Sequence, residues 1–521
     1  MASPTRLQIE ANFALPKYKV EVLNHAGVWY TMLNARIVNL SGSADSTGNQ
    51  DNGVSFGTPS DPSASVEMEN YAVDGIRAMN DPYWINKPCR ISFGFDTSDF
   101  ITIFQGPIKN MSLTDNTISL ELGGSLDYLA DVKLHTPVYY RRPAATKTTI
   151  ASQENPDGVA YQAGLINLAL WRAGGRPLEQ KDIVYTEASA DWKFWYSCEQ
   201  SLIAPDYAWY SGDNTQDEVY ALARAVGGQL YQDTKGTVRY TQPLSFGDTS
   251  NYVSFYTFTD AVFNGYKENI SKGELVGTLK MLYTPRRVEV MQTVVEDTTP
   301  RLIAPFALMG QADIIELSPD KPVYQYQGLV SYDNGTATRT MKAQLIDGRE
   351  VTPVIGLIEQ YANKVLISVS NPDANTPMII TSIKIEGRPL MANDDLNLQY
   401  PQPGDAFLPE KTVENNVYVQ NEAHAKRLVR MIFDFYNELR PIITLDNVQY
   451  DPDRYVGEIV KLATLYNNVD SRRFRIIKIA HSNLGTTMSV DLVQVTSVPK
   501  RSDMFIIGDS YSSGTVKQLS Y

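Results

Sequence analysis

Cysteine is nearly absent from this chain of 521 residues, and the two present, Cys89 and Cys198, lie far apart. A disulfide scaffold is excluded by number. Each cysteine sits among aromatics (Tyr83-Trp84 and Trp195-Tyr196), the setting of a buried free thiol. Histidine is also scarce: His25, His135, His424 and His481 are scattered and read as surface or capping residues. None shows the HExxH or i, i+4 spacing that brings two imidazoles to one metal. CxxC pairs, GxxxxGK phosphate loops and GxSxG elbows are missing as well. No metal site, no cofactor and no cofactor-binding residue is therefore expected. No apolar run of about 18 residues exists, so stable membrane insertion is not expected. Met1 to Arg6 lack the basic-then-apolar start of a secretory signal, which points to assembly in a cytoplasm. Basic residues are outnumbered, 46 Lys and Arg against 59 Asp and Glu, for a net charge of −13. That balance disfavours nonspecific nucleic-acid binding, which draws on a basic surface to release counterions.

What remains is a long chain rich in strand formers. Its length exceeds one ordinary core, so three or four domains are expected. The 31 Tyr, with many Val, Ile and Thr, favour pleated, half-buried surfaces. Tyr18 to Val22 and Val28 to Met32 alternate around Asn24-His25-Ala26-Gly27, a hairpin pattern. Residues 41–63 read as a surface loop rich in Ser, Gly, Asp, Asn and Pro. Strands resume at Arg90 to Phe95 and Phe100 to Phe104, followed by a hairpin turning at Asp115-Asn116. The first 130 residues thus predict an antiparallel barrel or sandwich.

Two helices are predicted next, over 158–173 and from Asn214 or Thr215 to Gly227-Gly228. A hairpin follows at Gln229 to Tyr240, making a small α/β unit. From about 325 to 392, short strands with turns at Asp333-Asn334-Gly335 and Asp347-Gly348 predict a β-sandwich module. Residues 421–437 carry an amphipathic helix with Ala425, Leu428, Val429, Ile432 and Phe435 on one stripe. Strands return to Leu492. One internal echo stands out: IKNMSLTDNTISLEL (108–122) is similar to IKIAHSNLGTTMSVDL (477–492) with one residue inserted. It would mark two related barrels, one near each end.

The segment Ile507-Gly508-Asp509-Ser510-Tyr511-Ser512-Ser513-Gly514 resembles the nucleophile block of SGNH esterases. In that family the block opens the catalytic domain, with base and oxyanion donors after it. No Asp-x-x-His follows Ser510 here. A serine without a base or oxyanion donors is not activated, so no catalytic residue is assigned.

The order of several motifs resembles the tail-tip or baseplate hub proteins of tailed bacteriophages. They are Pro88 to Phe95 through Phe104-Gln105-Gly106 to Leu126-Asp127-Tyr128-Leu129; Tyr207 to Tyr210 through Gly227-Gly228-Gln229-Leu230-Tyr231 to Gly236; Tyr361-Ala362-Asn363 through Asn371-Pro372 to Ile383 to Leu390; and Asn416 to Ala423. The resemblance implies a mainly β, multidomain chain with α/β parts. It implies a first tube-like antiparallel β-barrel at 1–137, an α/β domain at 138–248 and an inserted β-sandwich at 323–392. A second tube-like barrel region would span 249–322 and 393–500 with the helix 421–437, leaving 501–521 as a C-terminal tail. It further implies a structural homotrimer in the virion at the tail tip, adapting a six-fold tube to three-fold parts. Its partners would be the distal tail protein, the tape-measure protein and tail fibre or spike proteins. DNA would pass through its channel without specific binding. A tail-associated cell-wall hydrolase or a carbohydrate-binding adhesin is the alternative that the aromatic content and the sandwich module leave open.

Overall fold

The computed structural model describes residues 17–23, 28–32, 36–41, 49–50, 53–54, 62–69, 84–94, 100–114, 117–140, 162–178, 193–198, 205–233, 236–241, 256–269, 276–305, 312–326, 341–401, 410–413, 415–436, 442–451, 454, 458–463, 473–482 and 487–495. The turns at Asn24 to Gly27, Asp115-Asn116 and Asp333 to Gly335, the first residues of the 158–173 helix, and the Asp509-Ser510 block lie outside them.

The chain is mainly β. Alternation does the work in the first sheet, where Ile118, Leu120 and Leu122 turn inward along the strand Thr117–Leu122. Seven strands lie in the order Trp29–Met32, Lys17–Leu23, Pro88–Gly94, Ile101–Leu113, Thr117–Leu122, Ser63–Glu69, Arg36–Ser41. Every neighbouring pair is antiparallel. A second sheet has the order Tyr256–Thr259, Ile459–Ala463, Arg473–Ser482, Thr487–Val495, Ile442–Gln449, Tyr266–Asn269. It corrects the expectation of a purely antiparallel second barrel, because Tyr256–Thr259 runs parallel to Ile459–Ala463. The chain between those strands makes a long excursion, which permits the crossover a parallel pair needs. Buried residues of both sheets form one apolar cluster, in which the Phe93 and Tyr450 rings stand 4.8 Å apart.

Between the sheets in sequence lie two helices, α1 (Gln162–Arg172) and α2 (Thr215–Ala225). Asn214 caps α2 by accepting the Gln216 and Asp217 amides, and Asp217 and Glu218 occupy its first turn, where the helix dipole favours negative charge. A four-stranded sheet accompanies them: Gly175–Pro177, Phe194–Cys198, Val238–Thr241, Gln229–Gln232. A third helix, α3 (Glu422–Tyr436), packs on strands Thr278–Tyr283 and Leu396–Tyr400. Its buried Ala425, Leu428, Val429 and Ile432 join the core of the α/β region rather than that of the second sheet.

A further set of strands forms a sandwich around Val295, Ile367, Val369, Ile380 and Ile383. One sheet is organised by the 15-residue strand Met378–Ala392, which pairs with Arg286–Val288, Gln292–Asp297, Arg301–Ile303, Val323–Tyr326 and Met341–Leu345. The other is Asp313–Leu317, Val365–Ser370 and Val354–Gln360. Pairing to the long strand therefore begins at Arg286, upstream of the 323 boundary expected from sequence.

Candidate functional site: a repeated sheet and its outer faces

The echoed hairpins are alike in hydrogen bonding as well as in letters. In the first, Ile108 pairs with Leu122 and the next pair is Asn110 with Glu121, so Lys109 bulges. In the second, Ile476 pairs with Leu492 and the next pair is Lys478 with Asp491, so Ile477 bulges. The match is shifted one residue from the sequence reading: Ile108 corresponds to Ile476, and Lys109 to Ile477. The closing pairs, Thr114 with Thr117 and Ser482 with Thr487, leave spans of different length between them. The correspondence continues outward. Leu122 pairs on to Ala64 and Glu121 to Ser65; Leu492 pairs on to Ile443 and Asp491 to Thr444. Beyond these, Arg36–Ser41 and Tyr266–Asn269 both add antiparallel, as do Pro88–Gly94 and Ile459–Ala463 on the opposite flank. Because side chains alternate, a slip of one residue would turn an apolar face to water; the bulge at the same place in both hairpins fixes their register.

The faces turned away from the core are polar. In the first sheet Ser65, Glu67, Asn110, Ser112, Ser119 and Glu121 share that face, and Asn110 Nδ2 donates to Glu121 Oε2 at 2.7 Å. In the second the row is Thr444, Lys478, Ala480, Ser489 and Asp491, with Thr444 Oγ1 donating to Asp491 Oδ1 at 2.7 Å. These are short side chains with mixed charge, a wettable surface without a large apolar group among them.

Among the described residues an ionic cluster lies in the first sheet and another in the link between Ile442–Gln449 and Ile459–Ala463 of the second, and the two are opposite in composition. Glu21 is buried and bonded to Arg90 (2.7 Å) and Lys19 (2.6 Å), with the Arg90 guanidinium over Trp29. Burial works to raise the Glu21 carboxyl, but the hydrogen bonds and charge of Arg90 and Lys19 outweigh it and hold the group below its ordinary range. In the link the buried cation Arg454 meets Asp451 and Glu458 and lies 4.0 Å over the Tyr256 ring.

The residues examined for chemistry do not converge. Cys89 is fully buried, and burial drives its thiol far above the ordinary range, while Cys198 is half-buried. His424, read from sequence as a surface or capping residue, is buried with Nε2 2.7 Å from the Ala225 carbonyl at the end of α2, tying α3 to that helix end. His135 packs its ring against Tyr361 of the sandwich, 5.6 Å between centroids. His25 lies outside the described residues, as does the His481 side chain. Glu218, in the first turn of α2, is a half-buried carboxyl pushed up by desolvation against hydrogen bonds from Ser211. Among the described residues no group of three His, Cys, Asp or Glu could hold a metal ion. No helix among them is long and apolar enough to cross a membrane.

No protein-family model matches the chain, and no curated protein does. Among solved structures it is similar to tail proteins of bacterial prophages. One is the 43 kDa tail protein of prophage MuSo2 from Shewanella oneidensis, at 9% identity and a TM-score of 0.41, covering 92% of this chain and 98% of that one. A second is a tail protein from Neisseria meningitidis MC58, at 10% identity and a TM-score of 0.41, covering 92% and 96%. A third is the prophage tail protein gp18 from Listeria monocytogenes EGD-e, at 6% identity and a TM-score of 0.37, covering 93% and 98%.

Proposed function

We propose that this chain is a non-enzymatic structural subunit of a bacteriophage tail, placed in the virion at the tail tip, and that three copies close into a ring. The observation that carries the reading is the repeated sheet: five strands in the same order and sense, with the same bulge. A chain holding one sheet twice, taken three times, offers six similar sheets to a six-fold tube while keeping three-fold symmetry elsewhere. The polar outer faces of the two sheets suit the wall of a water-filled channel. Their carboxylates and the acidic chain would let tape-measure protein and DNA pass without trapping phosphate.

On this reading the chain divides into two tube-facing barrels, an α/β spacer and an inserted sandwich. The distal tail protein sits on one side of the ring and fibre or spike proteins on the other. Native mass spectrometry of the full-length chain tests the reading. A trimer is expected, alone or on addition of tail tubes; a chain that stays monomeric under both conditions overturns it.

A further inference from the structure

We infer that the short strand Gln229–Gln232 of the α/β region is a polar clamp that fixes the two related sheets relative to one another. This rests on the ring reading for its purpose, since quasi-equivalent sheets must keep one set spacing to close a ring. The geometry stands by itself. Toward the first sheet, the Gln232 side chain donates from Nε2 to the Gln105 carbonyl at 2.7 Å and accepts the Ser125 amide at 2.5 Å. Toward the second sheet, Gln229 Oε1 accepts from Arg475 at 2.7 Å. All four of these side chains are buried, or nearly so, and Ser125 is fully buried.

Between the two glutamines, Leu230 enters the α/β core while Tyr231 enters the cluster shared by the two sheets. One strand of four residues thus touches both sheets and two cores. The contacts also fall at matching places. By the bulge alignment Arg475 corresponds to Pro107, two residues along the strand from Gln105. Gly236, at the turn of the same hairpin, has φ +80° and sits so close that an added Cβ would lie 2.5 Å from the Gln105 Cβ. The hairpin is pressed against the base of the first sheet with no room for a side chain.

Hydrogen bonds of this kind are directional, so they add a fixed orientation and distance to the packing of the cluster that the two sheets share. Replacing both partners of a buried pair by apolar groups of similar shape is close to neutral for stability, which gives a clean variant. In a Cys198→Ser background, spin labels at Ser112→Cys and Lys478→Cys would report the distance between the two outer faces by dipolar spectroscopy. With labelled chain diluted into excess unlabelled chain, so that only distances within one chain are read, the expected result is one narrow distribution in the parent chain, and a distribution about twofold broader in the Gln229→Leu, Arg475→Met variant, as for parts joined without an orienting contact. Gly236→Ala, which wedges the hairpin away from Gln105, is expected to shift the mean distance while circular dichroism stays that of the parent. Unchanged mean and width in both variants overturns the clamp. If the first variant fails to fold, the Gly236→Ala distance alone decides. A monomeric parent with a clamp-dependent distance would remove the ring reading and leave the clamp standing; a trimeric parent with clamp-independent distances would do the reverse.

Discussion

At the base of its hairpin the first sheet carries Gly106 where the second carries Phe474, by the alignment that superposes their bulges. Both positions face inward, Gly106 opposite Cys89 and Phe474 opposite Val460. In the first sheet the chain leaves the hairpin at Gly123-Gly124 and turns at once into the 3-10 helix Ser125–Leu129, so close that a Cβ on Gly106 would lie 1.8 Å from the Gly123 carbonyl oxygen. In the second sheet the strand Thr487–Val495 runs on past the matching point, Val493 pairing with Arg475 and Gln494 with Phe474, and the fully buried Phe474 ring fills the space. The same strand plan therefore serves two tasks: one copy is cut away at its base to admit the α/β region, and the other is packed solid.

The sharpest way to break the comparison is to exchange those demands. Phe474→Ala should cost about 4 kcal/mol in chemical denaturation, the usual loss for a large ring removed from a core. Removing the cation from the second sheet's ionic cluster should come next. Arg454→Met leaves Asp451 and Glu458 facing each other without their cation and should cost about 3 kcal/mol, read from the same denaturation midpoint. Gly106→Ala should cost about 2 kcal/mol, because backbone rather than a yielding side chain blocks the new methyl.

Acid should act in opposite senses on the first sheet and on α2. The Glu21 carboxyl is held below 4.5 in the folded chain, so its contribution is complete above that pH and is lost as pH falls through the folded value. Glu218 acts in the other sense: raised by burial, it favours the folded state below 4.5 and loses that contribution as pH rises through its folded value. The denaturation midpoint of Glu21→Gln should thus lie below that of the parent at neutral pH, and the gap should close on acidification. A gap that stays constant with pH would show that Glu21 acts by shape alone. The smallest effect is expected at the bulge. Lys109→Ala removes the ion pair between this half-exposed lysine and the mostly buried Asp127 (2.7 Å) and should cost about 1 kcal/mol, leaving the register intact.

Local signals carried much of the fold into the sequence. Asn214 with Asp217 and Glu218 marks the start of α2, and the apolar stripe from Ala425 to Ile432 marks α3. Asp347-Gly348 makes the turn expected of it between Met341–Leu345 and Glu350–Val351. Longer-range facts were hidden. Arg286–Val288 and Arg301–Ile303 are three residues each, too short for alternation to register, and their partner strand comes some 80 to 100 residues later. The echo between the hairpins was legible, but Ile476 and Ile477 stand side by side and the Ile-Lys letters match at the second of them, whereas the ladder matches Ile108 to Ile476 across a longer turn. His424 read as surface or capping, but its burial and its partner were hidden, because the Ala225 carbonyl is a backbone group that leaves no trace in sequence. The clamp was invisible for a related reason: glutamine at 229 and 232 gains meaning only when Arg475 and Gln105 are brought beside it.

The central claim is that one chain supplies two equivalent sheets to a closed ring. Electron-microscopic class averages of the assembled full-length protein, viewed down the axis, test it most directly. The account predicts six similar lobes near the axis and three-fold features outside them. Three inner lobes, or particles that never rise above a single chain, would contradict it.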